Sequence, residues 1–151
     1  MKEIYYTYNN EAIAGCIFLS VLDKVKTMDI ARSCLILPFL LDDKTVVYFD
    51  TNRDIEFTLE QIIKEQPKLF ISFNKRYLSL LPVTINSLMI LVKTNQISNQ
   101  KEIVLNENVN FSFSDDCGNR LTKINSVMPK FLSTISQYST NELYKLLNVQ
   151  L

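Results

Sequence analysis

The carboxylates come closest to a chemical constellation, at Asp42-Asp43 and at Asp115-Asp116 with Asn119. Paired carboxylates can divide acid and base roles, and clustered oxygen donors can hold Ca2+ or Mg2+. Neither group meets its requirement. Adjacent residues on a helix point in different directions, and no second acid stands at a useful spacing from Asp42-Asp43. Asp115, Asp116 and Asn119 lack the spacing of a calcium loop and read as a solvated turn. The chain has no histidine. That removes the commonest general base, the commonest metal ligand and the Ser–His and Cys–His pairs. Gly15 and Gly118 lie too far apart to build a phosphate-cradling loop. Cys16, Cys34 and Cys117 form no CxxC, so neither a zinc site nor a disulfide framework is indicated. Cys16 and Cys34 sit in apolar stretches, as small core residues do. The expectation is a non-enzyme with no catalytic residue, no metal and no cofactor of its own.

Composition narrows the alternatives. The 151 residues are 47% hydrophobic and 21% charged, enough to bury one core. Lys plus Arg and Asp plus Glu number 16 each, and the pI is near 6.3. A dedicated nucleic-acid binder carries a basic excess, because counterion release supplies much of its affinity. Such an excess is missing over the whole chain, so DNA contact is expected to be weak or indirect. The start, Met1-Lys2-Glu3-Ile4-Tyr5-Tyr6, does not resemble a signal peptide, and the run Cys34 to Leu41 is far below the ~20 residues that span a bilayer. A reducing cytoplasm, without membrane contact, is the expected setting.

The elements follow from local signals. A first helix is predicted from Asn10 to Val25, with Asn9 or Asn10 as cap and Glu11 at its positive end. Its apolar arc is wide enough to be contacted on more than one side. A second is predicted from Met28 to Leu41, capped by Thr27 and kinked or divided at Pro38; a buried strand over Leu35 to Leu41 fits the same residues. Lys44 to Asp50 reads as a short strand or extended segment. Thr58 and Gln61 form a capping box, with Phe57 and Ile62 at the staple positions, opening a helix that ends at Gln66.

Helices are then predicted from Lys68 to Leu81 and, beyond a stop at Pro82, from Thr84 to Asn95. The first would bury Phe70, Phe73, Tyr77, Leu80 and Leu81. The second would bury Ile85, Leu88, Met89 and Val92. Glu102 to Leu105 and Val109 to Phe113 read as a hairpin, with a loop over Asp115 to Asn119. A helix from Ser126 to Tyr138 follows, and a last one starts at Ser139 with Glu142 completing its capping box.

The fold class expected is mainly α with a small β-hairpin, one winged-helix-like domain over residues 1–151. Its parts are a helical region at about 8–66, a winged-helix-like part at about 67–114 and C-terminal helices at about 126–149. A winged helix invites DNA binding through its second helix. The candidate, Thr84 to Asn95, offers only Lys93 as a cation and is otherwise mostly apolar. With Lys75, Arg76 and Lys101 it gives at most a modest basic edge. Protein docking therefore suits it better, and a small DNA-binding transcriptional regulator is the alternative.

Several blocks in one order carry a resemblance. They are Tyr8-Asn9-Asn10, then Leu35-Ile36-Leu37-Pro38-Phe39-Leu40-Leu41 with Lys44-Thr45, then Phe73, Arg76, Leu80, Pro82 and Thr84. From Tyr8 to about Leu105 the chain resembles the middle component of bacterial three-component ABC-ATPase conflict systems of the Lamassu-like type. The resemblance implies a non-enzymatic adaptor between an SMC- or Rad50-like ABC ATPase and a nuclease-like effector, in antiviral or anti-plasmid defence. Tyr8, Asn9, Asn10 and Arg76 are the partner-contact candidates. Asn10 and Arg76 fit a second role equally well, as a helix cap and a buried or surface ion partner.

Overall fold

The computed structural model describes residues 10–109 and 118–151. Asn10 opens α1 (Glu11–Val25), its side chain accepting from the amides of Ala12 and Ile13. α1 is buried on several sides, through Ile17, Phe18, Val21 and Leu22. It packs on both long helices of the fold, α6 (Phe73–Lys93) and α7 (Asn119–Ser136).

The segment after α1 departs from the expected single helix. It divides into β1 (Thr27–Met28), α2 (Ile30–Ser33) and α3 (Ile36–Leu40). Asp29, not Thr27, is the cap, accepting from the Arg32 amide at 2.7 Å. Pro38 falls in the first turn of α3, where its missing N–H costs no helical bond. α3 is buried at every position, so periodicity carried no signal there.

Lys44 to Asp50 is helical, not extended. α4 (Asp43–Thr51) is capped by Asp42, which accepts from the Thr45 amide at 3.2 Å and the Thr45 hydroxyl at 2.6 Å. Thr45, Val46 and Phe49 are buried at helical spacing, while Val47 stays exposed. The β-branched and aromatic run suggested a strand; packing against α7 and the Asp42 cap override that propensity.

α5 (Leu59–Glu65) has the predicted Thr58–Gln61 capping box and ends at Gln66. A 3-10 turn over Pro67–Leu69 leads into α6. Here lies the main correction: the predicted helices on either side of Pro82 are one continuous helix. Pro82 withholds an N–H from the Leu78 carbonyl, at a cost of about 3 kcal/mol in an isolated helix. The packing of α6 on α1 and α3 holds it through that point. The helix pair predicted over Lys68 to Asn95 is therefore one rod from Phe73 to Lys93.

β2 (Ile97–Asn99) and β3 (Ile103–Leu105) form the hairpin, one strand earlier than predicted, and β1 pairs antiparallel with β3 in the order β1-β3-β2. Of the expected second strand, Val109 lies outside any strand and 110–113 lie outside the described residues, as do Asp115, Asp116 and Cys117 of the predicted loop. α7 starts earlier than predicted, at Asn119, and runs through Pro129. α8 (Thr140–Leu146) carries the expected Ser139–Glu142 capping box.

The architecture is thus mainly helical with a small three-stranded antiparallel sheet. Phe39 sits at the centre of its core, with ring centroids 4.9 Å from Phe73 and 5.1 Å from Phe131. α8 is tied back to α2 by a polar clamp. Thr140 donates to Asp29 at 2.7 Å, and Arg32 donates to Thr140 and to the Tyr138 carbonyl.

Candidate partner-binding site

Tyr8 and Asn9 lie outside the described residues. Asn10 caps α1, with both capping bonds near 3 Å. Arg76 faces inward. It donates to the Pro38 carbonyl at 3.1 Å, the Leu69 carbonyl at 3.0 Å and the Ser72 hydroxyl at 2.7 Å. Its guanidinium lies 5.4 Å from the Phe73 ring centroid, and Asp42 stands 3.9 Å away. Arg76 therefore joins α6, the 3-10 turn and α3. The described candidates, Asn10 and Arg76, are not brought together into one surface; each holds a local junction.

The other polar candidates resolve the same way. Asp42 caps α4, and exposed Asp43 pairs with Arg120 at 3.3 Å, while Arg120 also donates to the Leu41 carbonyl. Cys34 is buried, and burial pushes its thiol pKa up, away from the reactive thiolate. Tyr144 donates to the Ala31 carbonyl at 2.6 Å and meets the Tyr77 hydroxyl at 3.1 Å. Burial first, and the Tyr77 bond second, raise its pKa well above the ordinary phenol value. Among the described residues no cluster of acids and cysteines could hold a metal ion, and no helix is long and apolar enough to cross a membrane.

The feature that sequence reasoning misplaced is the outer face of α6. Ile85, Met89 and Val92 were expected in the core. They are exposed, at 47%, 50% and 38%, and Leu88 is half-buried. The face turned inward carries Tyr77, Leu80, Val83, Thr84, Ser87 and Leu91. Its small polar members, Thr84 and Ser87, are fully buried. Ser87 returns its hydroxyl to the Val83 carbonyl at 2.6 Å, which removes the burial penalty. A Cβ on Gly15 would lie 3.9 Å from Leu91, an ordinary contact distance, so α1 meets α6 there without an obligatory glycine.

Leu78, Pro82, Ile85, Met89 and Val92 follow one another at steps of four and three, and all are exposed. At its far end the seam opens into an apolar groove of about 410 Å³, walled by Ile30, Ile97 and Ile103 across from Met89 and Val92. A polar hollow of about 520 Å³ lies elsewhere, between Phe57 and α7. There Lys130 covers the Phe57 ring at 4.6 Å and donates to the Ile55 carbonyl, so its charge is already engaged.

No curated protein and no solved structure is significantly similar to the chain. One protein family is. The profile of the ABC-three component (ABC-3C) system Middle Component 3 family matches residues 2–151, which includes the tail that the sequence blocks above did not reach. With essentially its whole length matched, the chain belongs to the Middle Component 3 family of ABC-three component systems.

Proposed function

We propose that this protein is a non-enzymatic adaptor that links an SMC- or Rad50-like ABC ATPase to a nuclease-like effector in a cytoplasmic antiviral or anti-plasmid complex of the Lamassu-like type. The full-length match to a middle-component family carries this reading. The disposition of the polar candidates supports it. Asn10, Asp42, Asp43, Arg76 and Arg120 are all engaged in helix caps and element junctions, while the outer face of α6 is exposed and apolar. That division suits a chain that works by contact and leaves ATP and DNA to its partners. In place of a winged-helix pair, the docking element is the rod α6 with the β2–β3 hairpin at its end.

Co-expression of a tagged form with the ATPase and effector encoded beside it tests the proposal. All three chains are expected to elute together after affinity capture and size exclusion. Elution of this chain alone, under conditions where each partner is folded, would overturn it.

A further inference from the structure

The exposed face of α6 has the spacing of a coiled-coil seam. Leu78, Pro82, Ile85, Met89 and Val92 alternate steps of four and three, and Lys75 continues the series toward the N-terminal end of α6. Apolar residues repeating every 3.5 positions keep one stripe facing a second helix over several turns. From Leu78 to Val92 the stripe runs about 21 Å at the helical rise per residue. The inner face of α6 is already satisfied by α1 and α3, so the seam is a second apolar face with no occupant among the described residues. Exposed Ile90 beside it widens the patch.

Charge decides what covers it. α6 contains no acidic residue; its cations are Lys75, Arg76 and Lys93. Arg76 is committed inward, whereas Lys75 and Lys93 are exposed at the two ends of the seam. Antiparallel pairing with a second copy, centred between Pro82 and Ile85, would set Lys75 of one copy against Lys93 of the other. That arrangement is repulsive at both ends. Glu11 lies near the Lys93 end, where its carboxylate accepts from the Asn86 amide at 3.4 Å.

We infer that this seam is a docking site for an amphipathic helix of another chain, with apolar residues at heptad spacing and acidic residues flanking them. One large apolar side chain of that helix enters the groove between Met89, Val92, Ile97 and Ile103. This inference rests on the adaptor reading and names the surface through which the adaptor binds one of its two partners.

Photo-crosslinking tests it. A benzophenone amino acid is placed at Met89, and at exposed Val47 as a control, in the full chain co-expressed with the other two components. The expected product joins Met89 to a heptad-patterned, acid-flanked helix of one component, and Val47 gives none to that helix. Ile85→Asp and Met89→Asp each weaken capture of that component about thirtyfold or more, the scale of an interface anchor. Lys75→Glu weakens it severalfold, with the difference shrinking at high salt. Unchanged circular dichroism and melting of the isolated variants separates lost docking from lost folding. Crosslinking to a second copy, or to residues 1–9 of the same chain, overturns the inference, as does undiminished capture of both aspartate variants. A complex that forms without the seam overturns this inference and leaves the adaptor proposal standing; no complex with any variant or the wild type overturns both.

Discussion

At the residue scale, Asn10 and Arg76 both make structural bonds within the chain. Arg76 joins three backbone elements through charge-assisted bonds, with only 15% of its side chain exposed. Arg76→Ala leaves the Pro38 and Leu69 carbonyls short of a donor. It is expected to lower the stability of the isolated chain by about 2–3 kcal/mol, measured by urea unfolding. A residue serving only a partner would leave that midpoint unmoved. Tyr144 gives a pH signature. Its folded pKa is raised, chiefly by burial and then by the Tyr77 bond. The unfolded chain ionises this phenol near pH 10, and the folded chain holds the proton to higher pH. The unfolded state therefore binds fewer protons above about pH 10, and stability falls as pH rises through that region. Tyr144→Phe removes this contribution. Its urea midpoint should decline less than the wild type's between about pH 9 and about pH 11, and equal declines would contradict the assigned cause.

At the scale of elements, local signals were legible and tertiary choices were not. The caps at Asn10, Thr58 and Ser139 bond within three residues of themselves, so their sequences suffice to read them. Thr58→Ala and Ser139→Ala should each lower stability by about 1 kcal/mol, seen as a drop in melting temperature. Pro82 misled because a proline inside a helix is costly, and only packing on α1 and α3 shows that the cost is met. Val46 to Phe49 misled because strand propensity outweighed the Asp42–Thr45 cap that the structure uses. α6 misled most usefully. Apolar on nearly all sides, it looked like a core helix whose Ile85, Met89 and Val92 would be buried. Thr84 and Ser87 turn inward instead and are fully buried. Periodicity shows that two apolar faces exist; it does not show which one the chain itself covers.

At the scale of the molecule, the seam and the family membership point the same way. The chain belongs to a middle-component family, and among the described residues the outer face of its longest helix is apolar and exposed. If the protein links two other components, its omission must separate them, which mass photometry of the ATPase and effector, mixed with and without this protein, resolves. A joint particle is expected when it is present, and separate particles when it is absent or carries Met89→Asp. A joint particle of ATPase and effector formed equally well without it would overturn the adaptor role.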